Sequence, residues 1–289
     1  MRRIGFYTLF FALSVFATDK FEFDRGDGSK IIGFVDKPET ASFSITLIIP
    51  GSQKETVLRT HDSLKSDLGA IQECVLTLEK QGIVGDQIDE KEFSRFLSID
   101  ERLNDHLLIL KNLKSLIPDW DGKISILGQG DGGRIGAKLA TQIENVEALI
   151  LIASGGGWPP LEEALYSFRS EMADKGFSPQ YIHGFIVGAK QEFLQALETP
   201  KAEQKAFGYS YKYWKSLLKT NLLSDLALLK CPIYSVNGVN DDRVPIESVD
   251  AMAKQLKDKL TLKRKEKMGR EIILDRKIYS EAISWLANQ

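Results

Sequence analysis

The stretch KISILGQGDGGRIGAKLA runs from Lys123 to Ala140. An apolar run, Ile124–Leu127, meets a cluster of glycines, and an amphipathic run starts at Arg134. That order predicts a buried strand, a tight turn and a helix over 134–143. Gly128-Gln129-Gly130-Asp131-Gly132 has the frame Gly-x-Ser-x-Gly, in which a strand-to-helix turn thrusts its middle side chain outward. Small flanking residues are needed there because backbone segments crowd together. The following helix aims its N-terminal N–H groups at whatever sits above the turn. Here the middle residue is Gly130, which has no side chain.

Working outward, strands and helices alternate. Lys20–Phe23 and Lys30–Val35 flank Asp27-Gly28 and predict an opening hairpin. Ser44–Ile49 is a strand stopped by Pro50-Gly51, and Cys74–Leu78 is another. Ile99–Leu116 carries Leu103, Leu107, Leu110 and Leu113 at helical spacing and is closed by Pro118 and Gly122. Beyond the turn come a strand at 146–153, a strand at 233–236, a helix at 249–260, a strand at 260–267 and a closing helix at 278–287. This alternation predicts an α/β fold, a mostly parallel sheet with helices on both faces.

One stretch, Gly155 to about Leu229, breaks the pattern. It is helical and aromatic-rich, with Phe168, Phe185, Phe193, Tyr209, Tyr213 and Trp214 among its rings. An insertion of that length between two core strands reads as a lid over a site, or as the packing of a helical subdomain.

The 289 residues suit one large α/β domain or two small ones, and a net charge of −2 argues against nucleic acid as the main partner. The N-terminus reads as a signal peptide over 1–17. Arg2 and Arg3 precede an uncharged run, Ile4–Ala17, and Val15 and Ala17 suit cleavage before Thr18. An uncleaved anchor is the other reading; the run is short for a membrane span. The domain proper is then 18–289. Of the 38 basic residues, cleavage removes Arg2 and Arg3, leaving 36 against 40 acidic ones, a charge of −4. The expectation is an exported protein, periplasmic or secreted, with no membrane span after cleavage.

Five stretches together resemble the α/β-hydrolase superfamily, over nearly all of the mature chain. LIIPGS (Leu47–Ser52) matches its strand and oxyanion loop, and LTLEKQGI (Leu76–Ile83) a strand that usually ends Asp-Lys-Arg-Gly-Val. ILGQGDGG (Ile126–Gly133) matches the nucleophile turn, and CPIYSVNGVNDDRVP (Cys231–Pro245) the strand and turn bearing the triad acid. KMGREIILD (Lys267–Asp275) matches the segment that usually reads Gly-His. The resemblance implies an eight-stranded sheet with a helical lid at 155–229. It places the serine position on Gly130, the acid on Asp241 and the histidine on Arg270. It also places the oxyanion hole on the backbone N–H groups of Ser52 and Asp131.

Glycine cannot attack a carbonyl, and arginine stays protonated, so it cannot take a proton from a hydroxyl. The chain thus keeps one of three triad residues. Two losses fit a natural, catalytically defective homologue better than a single engineered change. It would bind a small acyl, ester-like or anionic ligand, or a protein partner, with no cofactor and no metal. Asp241 and Arg270 could pair and offer Arg270 to a carboxylate or phosphate.

Two alternatives stay open. An active esterase or amidase would draw on relocated groups: Asp131 as nucleophile in a slipped frame, Ser154, or His183 from the lid. A protein-interaction module would use the aromatic insertion. His61 and His106 are expected in exposed or capping roles, and Asp242-Arg243 in a solvated turn. The segment 254–277 holds ten basic and four acidic residues and reads as a lysine-rich edge strand. Cys74 and Cys231 lie several strand widths of roughly 4.8 Å apart, too far for a bridge that needs Cα atoms within about 7 Å.

Overall fold

The computed structural model describes residues 18–199 and 202–289; the proposed signal peptide lies outside them. Eight strands form one sheet: β1 (Asp19–Asp24), β2 (Lys30–Asp36), β3 (Phe43–Ile49), β4 (Cys74–Leu78), β5 (Trp120–Gln129), β6 (Val146–Ile152), β7 (Ile233–Gly238) and β8 (Leu260–Lys265). Their order is β1-β2-β4-β3-β5-β6-β7-β8. Only β2 runs against its neighbours β1 and β4; every other pairing is parallel. The expected mostly parallel eight-stranded sheet is therefore present.

Why the central strands are apolar on both faces follows from the layers. Leu47, Ile49 and Ile126 belong to a core shared with Leu113 and Ile135, from α3 (Ile99–Leu116) and α4 (Asp131–Ala140). The alternate residues Ile48, Leu127 and Ile150 face a second core. It is shared with Leu64 and Leu68 of α1 (Leu58–Ala70) and with Ile283 of the closing helix Arg276–Leu286. Strands covered on both sides read as continuous apolar runs rather than alternating ones. At the outer edge, β8 is half-buried and carries Lys263, Arg264 and Lys265, charges that discourage edge pairing.

Helix starts have local causes. Ser98 caps α3, its hydroxyl accepting from the Glu101 N–H at 3.1 Å, with Asp100 and Glu101 in the first turn. The helix after the glycine turn begins at Asp131, three residues before its expected start, because the turn passes into it without a linker. The helices α1 and α2 (Glu90–Phe96) are additions to the sequence reading.

The insertion contains α5 (Pro160–Asp174), α6 (Pro179–Glu198), α7 (Tyr211–Leu218) and α8 (Leu222–Leu228). Phe168, Phe193, Phe207 and Trp214 meet within it, with ring centroids 4.7–6.4 Å apart. The α8 helix packs against α4 and against the helix Ile246–Leu256, so it belongs with the sheet layers rather than with the helices above them. No helix among the described residues is long and apolar enough to cross a membrane.

Both cysteines are buried and free. Cys74 opens β4 and Cys231 precedes β7, with β3, β5 and β6 between the two strands.

Candidate active site

The carboxyl ends of parallel strands leave a crevice in which connecting loops converge. Here β3 delivers Ser52, β5 delivers Gly130, β6 delivers Ser154, β7 delivers Asp241, and the turn after β8 delivers Arg270.

Gly130 has φ +51° and ψ −124°, a conformation strained for any residue with a side chain. Its neighbours are fixed by close approach. A Cβ on Gly132 would fall 1.8 Å from the Ile49 carbonyl oxygen, and one on Gly128 would fall 2.4 Å from the Gly133 Cα. Gly130 differs: among the described residues, its chain neighbours apart, the groups near its Cβ position are Arg270 Nη2 at 2.6 Å and Arg270 Cζ at 3.8 Å. The scaffold leaves room for a side chain there, and a guanidinium has taken it.

Arg270 Nη1 donates to the Ala153 carbonyl at 2.6 Å and faces Asp241 Oδ2 at 3.6 Å. Asp241 is buried. Its Oδ1 accepts from the Arg243 and Val244 N–H groups at 2.8 and 3.1 Å, while Oδ2 has no hydrogen-bond partner among the described residues. Burial pushes its carboxyl pKa up, against the opposing pull of the Arg270 charge. The structure therefore brings Gly130, Asp241 and Arg270 together.

Ser52 and Asp131 also border the cleft. Asp131 is the first residue of α4, where a backbone N–H has no acceptor inside the helix. The Ser52 loop is held from below by the buried Arg102, which donates to the Pro50 carbonyl and, at 3.5 Å, to the Ser52 hydroxyl. The Asp131 carboxylate accepts from the Tyr213 hydroxyl at 2.6 Å. Burial, then the Asp131 charge, push the Tyr213 phenol far above its usual range.

The relocated groups fare differently. Ser154 borders the cleft, but its hydroxyl donates to the Gly128 and Ile152 carbonyls at 3.1 and 3.2 Å. His183 is exposed on α6 and is not among the cleft's lining residues. His61 and His106 are both buried, not exposed or capping as expected. His61 does meet a hydroxyl and a carboxylate, with Nδ1 2.9 Å from Thr77 Oγ1 and Nε2 2.6 Å from Asp36 Oδ2. This trio lies between α1 and the sheet, and none of its members borders the cleft. His106 Nδ1 contacts the Arg102 carbonyl inside α3, and its Nε2 has no partner among the described residues.

The cleft encloses about 410 Å³. Its upper wall comes from the insertion: Phe168, Phe207, Tyr209, Tyr213 and Trp214. Asp242 and Arg243 also line it, Asp242 half-buried and Arg243 exposed. Four residues escaped sequence reasoning: Arg102, Arg134, Glu163 and the role of Tyr213. Arg134 and Glu163 form a buried ion pair joining α4 to α5. Glu163 Oε1 also accepts from the Gly156 N–H at 2.8 Å and the Ser248 hydroxyl at 2.7 Å. Arg134 lies one helical turn beyond Gly130, a usable signal; Glu163 sits among ordinary helix-surface residues and gives none. Among the described residues no group of three or more His, Cys, Asp or Glu side chains is placed to hold a metal ion.

No family model matches the chain, and no curated protein matches it. Solved structures do. Est1E from Butyrivibrio proteoclasticus, with ferulic acid bound, is 19% identical with a TM-score of 0.66, over 93% of this chain and 98% of that one. The Pyrococcus furiosus esterase Pf2001 is 14% identical with a TM-score of 0.65, over 94% and 91%. An acylaminoacyl peptidase from Pyrococcus horikoshii is 16% identical with a TM-score of 0.66, over 96% of this chain and 41% of that one. The fold is the α/β-hydrolase fold, as the sequence resemblance implied.

Proposed function

We propose that this chain is an exported, non-catalytic protein on the α/β-hydrolase fold, which binds a small ligand in the cleft above Gly130 and releases it unchanged. One observation carries the reading: the space above Gly130 holds Arg270 Nη2, 2.6 Å from the position of a Cβ. A group that cannot attack carbon stands where a nucleophile would project, and it is a permanent cation where a base would be needed. No imidazole lines the cleft. The Ser154 hydroxyl is spent on strand-end carbonyls and His183 is elsewhere, so neither favours an active enzyme with relocated groups.

Binding needs less than catalysis. Two backbone N–H groups, a charged donor and an aromatic wall require neither a proton shuttle nor a covalent step. The insertion acts as a lid in this reading, tied to the turn by Tyr213–Asp131 and by Arg134–Glu163. Export rests on the N-terminal sequence. Est1E with ferulic acid shows that a protein of this fold accommodates an aromatic acid, and we propose a ligand of comparable size here.

Purified protein should not turn over p-nitrophenyl acetate or butyrate above the buffer rate, and should take no label from a fluorophosphonate probe. Turnover that survives removal of contaminating esterases would sink the proposal.

A further inference from the structure

We infer that the cleft selects carboxylates over their neutral esters and amides, with Arg270 as the group that makes the distinction. This deepens the ligand-binding reading above and rests on it. The guanidinium is fixed from behind and open in front. Nη1 is spent on the Ala153 carbonyl and faces Asp241, whose side chain is fully buried beneath it. Nη2 points over Gly130 into the cleft and has no protein acceptor among the described residues. Were a side chain present at residue 130, that nitrogen would be displaced. The glycine and the exposed donor are thus one feature.

What fits in front of it follows from the donors. Ser52 and Asp131 border the same space, and in this proposal their backbone N–H groups are the donors, that of Asp131 being at a helix start where it has no acceptor inside the helix. A carboxylate has two equivalent oxygens, one for the N–H pair and one for Nη2, in a charge-assisted arrangement. An ester has one free carbonyl oxygen; its alkylated oxygen is a poor acceptor and would leave a cationic donor desolvated and unpaired. An amide would set its own N–H₂ against the guanidinium.

The acidic side chains nearby do not cancel this preference. Asp131 is occupied by Tyr213, and Glu163 by Arg134, Gly156 and Ser248. Glu171 pairs with Lys175, and Arg243 stands beside Asp242 on the lining. A single negative charge is favoured over the dianion of phosphate, which would meet Asp131 and Asp242 with an extra charge. Phe168, Phe207 and Trp214 supply an apolar wall for the body of the acid.

The test compares cinnamate, methyl cinnamate, cinnamamide and inorganic phosphate by calorimetric titration of the whole protein. Cinnamate is expected to bind about tenfold or more tighter than either neutral form, the usual effect of a hydrogen bond to a charged group. Phosphate should compete weakly. Arg270→Gln should abolish the preference, and Arg270→Lys should keep part of it. Gly130→Ala is an independent check that keeps the arginine but displaces its Nη2: its methyl carbon starts 2.6 Å from that nitrogen, so cinnamate affinity should fall.

Equal binding of acid, ester and amide would overturn the assignment, as would unchanged cinnamate affinity in a folded Arg270→Gln protein. So would failure of cinnamate to bind at millimolar concentration. Hydrolysis of methyl cinnamate would instead sink the non-catalytic reading, and the ranking of ligands would still judge Arg270.

Discussion

Arg270 occupies the space that a side chain on Gly130 would need, with Nη2 lying 2.6 Å from the Cβ position. A side chain at 130 and Arg270 as placed here therefore compete for one space, and a serine introduced at 130 requires the guanidinium to move. Gly130→Ser alone should cost about 1–2 kcal/mol, from the strained backbone at φ +51° and the displaced guanidinium. It should also remain inert. With Arg270→His as well, part of that cost should return, a coupling of about 1 kcal/mol in a double-mutant cycle by urea denaturation. Fluorophosphonate labelling should then appear in the double variant only. A serine that costs the same with either residue at 270 would show that the two positions do not compete.

The Arg134–Glu163 pair should be the most sensitive polar contact around the cleft. Both side chains are nearly fully buried, at 6% and 7% exposure. Removing one partner strands a charge, at about 3–5 kcal/mol. Glu163→Ala also orphans the Gly156 N–H and the Ser248 hydroxyl. Glu163→Gln keeps an acceptor for them and should lose less. Urea titrations of the two variants give the order; a smaller loss for alanine would mean that the hydrogen bonds to Glu163 contribute nothing.

The sheet was legible because its strands obey a simple rule: burial on both faces makes Leu47–Ile49, Cys74–Leu76 and Ala148–Ile152 apolar throughout. The turn was legible because Gly128 and Gly132 are demanded by backbone contacts 2.4 Å and 1.8 Å away. Asp241 and Arg270 were singled out by the resemblance to the α/β-hydrolase superfamily, and in the structure they face one another at 3.6 Å. Arg102 and Glu163 were hidden because a buried charge leaves no trace in helical spacing; each sits on a helix among other polar residues, and only the tertiary fold shows its partners. His61 and His106 were misjudged for the same reason. A histidine on a helix does not say which way it faces.

The two thiols offer a direct check on strand order. Three strands separate β4 from β7, so both cysteines should stay reduced even in an oxidising compartment. Burial pushes the Cys74 thiol up to about 12, and that of Cys231 upward as well. Iodoacetamide at pH 8 should modify neither in the folded protein and both in urea, counted by mass spectrometry. A native disulfide would mean that the sheet is ordered differently.

His106 should govern part of the acid stability. Burial pushes its imidazole down to about 4 from an ordinary 6.5. The unfolded chain therefore binds a proton more readily than the folded one between those values. His106 imposes no loss above pH 6.5, and stability falls as pH drops from 6.5 toward 4, by roughly 3 kcal/mol in all. Glu73 works the other way: burial raises its carboxyl to about 7, so its contribution is present at low pH and fades as pH rises through 7. The two overlap near pH 5–6, and comparison with a variant separates them. His106→Leu removes the imidazole, including an Nε2 that has no partner among the described residues. The Arg102 carbonyl keeps its place in the α3 hydrogen-bond ladder. At pH 7.5 the variant should match the parent to within about 1 kcal/mol, and near pH 4 it should be the more stable by about 2–3 kcal/mol. Parallel urea titrations at the two pH values decide it; an unchanged difference would mean that His106 keeps its ordinary proton affinity in the fold.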